Sequence, residues 1–327
     1  TRCVGKIFHN WHTAEKGDRR SWSADEFLHY ANHGDDKPMI TGELPVNSAT
    51  LSTRVYGNTS ICECRDVSDE AYYDGRVAVE AQRVLQKVKD EPFFLAVGFW
   101  KPHAPFNAPK KYWDLYDRSK LPPLNDQRPE GAPEIAFHQS TEILGPPAKQ
   151  TPVTTEQAAE MRHGYFANIS YMDAQVGKVL DELDRLDLRK NTIVILWGDH
   201  GWKLGEHDAW CKHSTTENDT NTALLLSVPG MKNAGTKTKS IVEFVDIYPT
   251  LAELAGLPLP AHLEGLSFKT LLDDPTRPWK TAAFSQYPRN AGKTGAGQPA
   301  DALVQVVGGA PACRHQIATR DAHIALG

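Results

Sequence analysis

From residue 69 to residue 89 apolar side chains recur at intervals of three and four. Tyr73, Val77, Ala81, Val84, Leu85 and Val88 share one stripe, which predicts an amphipathic helix covering one face of a sheet. The continuous apolar run Phe93 to Phe99 follows Pro92 and reads as a strand buried on both faces. It gives way to Trp100-Lys101-Pro102-His103-Ala104-Pro105-Phe106, where the prolines oppose both a further ladder and a helix, so His103 is expected on a rigid loop. Residues 107–154 are proline-rich and predict an irregular excursion of the kind that frames a substrate mouth. A second helical stripe, including Met161, Tyr165, Ile169, Val176 and Leu183, runs from about 155 to 188 with Thr155 as its N-cap. The apolar run Thr192 to Trp197 then predicts another buried strand, reached by a right-handed crossover and ending in Gly198-Asp199-His200-Gly201. A third run, Ala223 to Val228, closes at Pro229-Gly230, and Asp246 reads as the N-cap of a short helix ending at Gly256. No period is read after Asn290.

This alternation predicts an α/β fold with a mostly parallel central sheet flanked by helices. Residues 1–256 read as the main domain, and 257–327 as a smaller, incomplete C-terminal subdomain. The balance of 36 basic against 41 acidic residues gives a net charge of −5, which offers no overall basic field for a phosphate backbone and argues against nucleic acid as a partner. No apolar stretch approaches the roughly 20 residues of a spanning helix. The five cysteines form no CxxC pair or four-ligand zinc spacing. The chain starts at Thr1 with no export signal, so its true start is expected upstream.

Open parallel sheets present ligands at the carboxyl ends of their strands, and that is where the candidate chemistry falls. Asp199 and His200, side by side after a strand, are half of a divalent-metal site; their bland alternative is a turn cap and a backbone-bonded imidazole. Lys6 and His9 are close enough to reach one anion together, and Lys101-Pro102-His103 holds an imidazole with little entropy to lose. Lys212 follows Trp210 and Cys211, where a buried aromatic could brace the stem of an anion-binding cation. Glu206 and His207 could extend the metal cluster from farther out. Lysines and a divalent cation neutralise a tetrahedral anion, and a histidine protonates a departing alkoxide, so the set suits an oxyanion ester. No residue reads as the nucleophile.

Six motifs, in order, resemble the formylglycine-dependent sulfatases of the alkaline-phosphatase superfamily, and within them the iduronate-2-sulfatase branch. They are Val4-Gly5-Lys6-Ile7-Phe8-His9; the Phe93–Phe99 run with Lys101-Pro102-His103; Tyr165-Phe166-Ala167-Asn168-Ile169-Ser170-Tyr171-Met172-Asp173; Gly198-Asp199-His200-Gly201-Trp202; Trp210-Cys211-Lys212; and Ser285-Gln286-Tyr287-Pro288-Arg289. The resemblance implies that Asp199 and His200 ligate calcium, with magnesium an alternative, and that Lys6, Lys212 and His103 bind the sulfate oxygens. It further implies that His9 contacts the formylglycine hydrate and takes its proton, while His103 and Lys212 serve the leaving oxygen. A formylglycine-generating or equivalent enzyme, a sulfated carbohydrate substrate and a location outside the cytoplasm or in lysosomes follow from the same resemblance.

The family's nucleophile arises from cysteine in a Cys-x-Pro/Ala-x-Arg motif, and no cysteine here has that context; Cys62 is followed by Glu63-Cys64-Arg65. The motif and the family's paired aspartates are expected upstream of Thr1, and the chain by itself is expected to be inactive. The alternatives are a metal-dependent phosphodiesterase or phosphonate monoester hydrolase of the same superfamily, or a non-catalytic sulfoglycan-binding protein.

Overall fold

A computed structural model describes residues 1–9, 17–27, 62–132, 137, 141–144, 152–288, 302–308 and 314–319. The described elements are, in order, β1 (Arg2–Gly5), β2 (Cys62–Arg65), α1 (Tyr73–Val88), β3 (Leu95–Gly98), β4 (Phe106–Pro109), α2 (Lys110–Trp113), α3 (Thr141–Leu144) and α4 (Thr155–Arg185). There follow β5 (Val194–Trp197), β6 (Lys203–Leu204), β7 (Trp210–Cys211), α5 (Glu217–Thr220), β8 (Leu224–Ser227), α6 (Ile247–Leu254), α7 (Lys269–Asp273), β9 (Ala282–Pro288), β10 (Ala302–Gly308) and β11 (Arg314–Thr319). They fall into two compact units: one of residues 1–126, 139–189 and 204–211, the other of 127–138, 190–203 and 212–327.

In the first unit β1 and β3 run parallel with Gly5 opposite Gly98. The stripe of α1 lies on them, burying Val4, Tyr73, Val77, Val84 and Val88 against Leu95 and Val97. A second parallel pair, β2 and β4, sets Cys62 opposite Phe106. This corrects the expectation that the prolines end the ladder, because Phe106, Asn107 and Ala108 keep their amide hydrogens, so a strand can begin directly after Pro105. The stretch 107–154 is therefore irregular only in part, containing β4, α2 and α3. Helix α4 packs on β4, α2 and α1 through Ala167 and Tyr171, which join Tyr72, Tyr112 and Trp113 in one cluster. Its cap is Thr154, one residue before the expected Thr155: the Thr154 hydroxyl accepts from Gln157 N, and Gln157 answers by accepting from Thr154 N.

Two side chains of this unit tie its helices together. The Tyr171 hydroxyl donates to Asp69 O at 2.8 Å and accepts from Gly75 N at 2.6 Å, joining α4 to the start of α1. Buried Asp69 accepts from Lys178, Gln175 and Tyr112 and pairs with Lys111 at 2.9 Å. Its carboxyl is raised by burial, yet the bonds from Lys178 and Lys111 outweigh that and hold it below the ordinary carboxylate range.

In the second unit β5 pairs with β8 antiparallel, so the third apolar run reverses direction beside the second. Ile195, Leu224 and Leu226 pack under α6 with Ile247, Phe268 and Leu271. Asp246 does stand at the N-cap of α6, but its side chain caps nothing there; it accepts from Glu243 N and Leu266 N and pairs with Lys280. Against the expectation of no pattern after Asn290, β10 and β11 form an antiparallel sheet with β9, with β10 central. Val304, Val306 and Val307 favour a strand, but the run is short and stops at Gly308-Gly309.

Candidate active site

The β1–β3 pair sets the first cluster. Gly5 takes a left-handed φ of 84°, a conformation that costs glycine little, and turns the chain out of the strand into Lys6. The Lys6 amide still donates to Gly98 O at 2.8 Å, so Lys6 leaves from the carboxyl edge of the sheet. It is half-buried, and His9, three residues on, is exposed. His103 lies five residues past the carboxyl end of β3, the strand that runs parallel beside β1.

His103 is held by its own loop. Its amide donates to Trp100 O at 3.1 Å, and its ring meets the Trp100 ring edge-on with centroids 5.9 Å apart. Nδ1 lies 2.6 Å from Ala104 O. A carbonyl can only accept, so Nδ1 carries the hydrogen and the neutral ring keeps its lone pair on Nε2. That tautomer, when protonated at Nε2, is the form able to give a proton to a leaving oxygen.

Asp199 and His200 stand two and three residues past β5 in the second unit. His200 Nδ1 donates to Gly201 O at 2.9 Å, which again places the lone pair on Nε2, and Nε2 lies 3.7 Å from Asp199 Oδ2. An imidazole oriented by a backbone carbonyl, next to an exposed carboxylate, suits two coordination positions of a divalent cation. Among the described residues no group of three or more His, Cys, Asp and Glu comes together around a common point, so the pair is a partial fit. Gly201 has no room for a side chain, since a Cβ there would stand 1.8 Å from Asn218 O, and its amide donates to Asp219 O at 2.8 Å.

Beneath this turn is a buried network that the sequence did not announce. Lys203 Nζ donates to Asp219 Oδ2 at 2.5 Å and to Ser214 Oγ at 2.9 Å, and Ser214 N also donates to Asp219 at 2.8 Å. The only signal available was an Asp and a Lys within one polar loop, which fits many bland arrangements. The network fixes the segment that follows Lys212. Lys212 Nζ stands over the Trp202 ring, 4.8 Å from its centre. Trp210 is buried within the first unit. Glu206 accepts from Leu204 N at 2.5 Å and serves a turn in which His207 and Asp208 have left-handed φ of 59° and 57°.

Of the expected site residues, Lys6 and His103 each follow the carboxyl end of a strand of the β1–β3 pair, Asp199 and His200 adjoin, and Lys212 stands against Trp202 within the second unit. Of the five cysteines, Cys3 is buried in β1, Cys62 is half-buried and Cys64 exposed on β2, Cys211 ends β7, and Cys313 lies outside the described residues.

Over 361 aligned residues the chain is 31% identical to iduronate 2-sulfatase of Mus musculus, a match covering 89% of this chain and 62% of that protein. The chain thus spans less than two thirds of the length of this relative. Its fold is similar to that of a phosphonate monoester hydrolase from Silicibacter pomeroyi, with a TM-score of 0.64 and 21% identity over 80% of this chain and 56% of the other. It is also similar to a protein solved in complex with D-glucosamine-2-N,6-O-disulfate as its substrate, with a TM-score of 0.60 and 17% identity over 76% of this chain and 63% of that one. The family described as Sulfatase matches residues 1–257, and the chain belongs to that family.

Proposed function

We propose that the protein carrying this chain hydrolyses sulfate esters, with sulfated sugars as the substrate class. The observation that supports the reading is that Lys6 and His103 follow the carboxyl ends of two neighbouring parallel strands, with His103 in the Nδ1–H tautomer, inside a chain of the sulfatase family. Lys6 and Lys212 supply ammonium groups for the sulfate oxygens, and the Trp202 ring beside Lys212 restrains that cation. His103 Nε2 delivers a proton to the leaving alkoxide. His9 is assigned the complementary task of taking a proton during sulfate release.

Asp199 and His200 are proposed as two ligands of a calcium or magnesium ion, which would supply positive charge to the sulfate oxygens when bound. Among the described residues no third His, Cys, Asp or Glu joins this pair. The family's formylglycine, an oxygen nucleophile for attack on sulfur, does not fit any cysteine of the chain, none of which has the Cys-x-Pro/Ala-x-Arg context. Its formation by a maturation enzyme and a lysosomal or extracytoplasmic location belong to the same proposal. No described helix is long and apolar enough to cross a membrane.

A second reading, phosphonate or phosphate ester hydrolysis, draws on the structural similarity to the phosphonate monoester hydrolase. Calorimetric titration of the chain with inorganic sulfate, a sulfated disaccharide, its desulfated counterpart and a phosphonate monoester separates the two. Binding of the sulfated sugar that weakens at least about tenfold in Lys212→Ala, the cost of one charge-assisted contact, is expected. Preference for the phosphonate, or equal affinity for the desulfated sugar, would overturn the sulfate reading.

A further inference from the structure

Two buried ionisable side chains of the first unit, Asp74 and Lys101, have no part in the chemistry above. Asp74 is in the first turn of α1 and fully buried. Its Oδ1 accepts from Trp100 N at 2.8 Å and its Oδ2 from Lys101 N at 2.9 Å, so one carboxylate grips the chain where it leaves β3. Lys101 is itself buried, and its Nζ reaches along the loop to donate to Pro105 O at 2.6 Å and His103 O at 3.4 Å.

The bonds alternate along the loop. Lys101 draws the carbonyls of His103 and Pro105 towards itself, and the carbonyl between them, Ala104 O, receives the His103 Nδ1–H at 2.6 Å and the Trp100 Nε1–H at 3.2 Å. Burial pulls the Lys101 ammonium down to about 8, and the charge of Asp74 only partly offsets this. A buried cation bonded to neutral carbonyls costs stability that an apolar side chain of similar length would not cost, so its presence points to a task other than packing.

We propose that Asp74 and Lys101 form a positioning clamp that aims the Ala104 carbonyl at His103 Nδ1, and so fixes the tautomer and direction of that imidazole. Neither residue touches substrate on this reading. The proposal rests on the assignment of His103 as the proton donor, but its test does not need turnover.

The test is long-range ¹H–¹⁵N spectroscopy of the chain labelled at its histidines, with His103 assigned by the signal lost in His103→Gln. The wild-type chain should show His103 as the Nδ1–H tautomer at neutral pH; finding Nε2–H there overturns the clamp outright. Lys101→Met should leave the circular dichroism unchanged and lower the Nδ1–H to Nε2–H ratio about tenfold, the worth of one hydrogen bond. Asp74→Asn, which keeps the volume but cannot accept both amides, should shift the ratio the same way and covers the case in which Lys101→Met fails to fold. A folded variant of either kind with an unchanged His103 tautomer overturns the proposal. Lys212→Ala should weaken binding of the sulfated sugar at least about tenfold without moving the His103 signal, so a failed sulfate reading and a failed clamp are distinguishable.

Discussion

Gly5 and Gly98 approach so closely at the end of the β1–β3 pair that a methyl group on Gly5 would stand 2.1 Å from the Gly98 carbonyl oxygen. The reverse contact is as tight: a Cβ on Gly98 would stand 1.9 Å from Lys6 O. Both obstacles are backbone held by the parallel ladder, so neither can yield by a side-chain rotation. Gly98→Ala should lower the unfolding free energy by about 1–3 kcal/mol or more, the range for overpacking, as read from urea denaturation. A variant as stable as the wild type would show that the strand edge is not rigid enough to aim Lys6.

Tyr171→Phe removes one hydroxyl and leaves two buried backbone groups, Gly75 N–H and Asp69 C=O, without that partner. The expected cost is about 1–3 kcal/mol for each group left unsatisfied, offset where a neighbour or water replaces the bond. Thermal denaturation with both near- and far-ultraviolet circular dichroism measures it. Tyr171→Leu should cost more, because a fully buried aromatic is lost as well.

Asp69 makes the protein sensitive to acid. Its folded carboxyl is held below the ordinary value, so the stabilisation is complete above the unfolded carboxyl's ~3.9 and is lost as pH falls through the folded value. Asp69→Asn should therefore flatten the dependence of stability on pH in the acid range. Equal acid slopes for variant and wild type, measured by urea midpoints at a series of pH values, would remove Asp69 as their source.

Trp202→Leu tests the brace on Lys212. Loss of the ring 4.8 Å from Nζ should weaken binding of sulfate by a few-fold, the equivalent of about 0.5–1 kcal/mol of cation–π attraction. Trp210→Leu should instead lower stability, since that ring is buried in the first unit.

Helices α1 and α4 were legible because each has a long apolar stripe at helical spacing, as with Val77, Val84 and Val88 in α1. Strand β2 was not, because Cys62-Glu63-Cys64-Arg65 is short and polar and gains its place only by pairing with β4, more than forty residues away. Of the candidate site, Lys6, His103, Asp199 and His200 stand in short motifs that follow strand ends, as their sequence positions predict. What could not be read were the partners: Trp202 beside Lys212, Lys203 with Asp219, and Asp74 with the amides of Trp100 and Lys101. Each of these depends on which distant residue the fold brings near, and no local spacing encodes that.

The hydroxyl of Tyr171 also ties the His103 loop to a later part of the chain. The loop bearing His103 is gripped by Asp74, Asp74 belongs to the first turn of α1, and that turn is latched by a residue synthesised dozens of positions later. Contacts of such long sequence separation form late, after the entropy of closing the intervening chain has been overcome. On that order the His103 imidazole is fully fastened only once α4 has docked, and a nascent chain ending before α4 would present His103 on a loop without that latch.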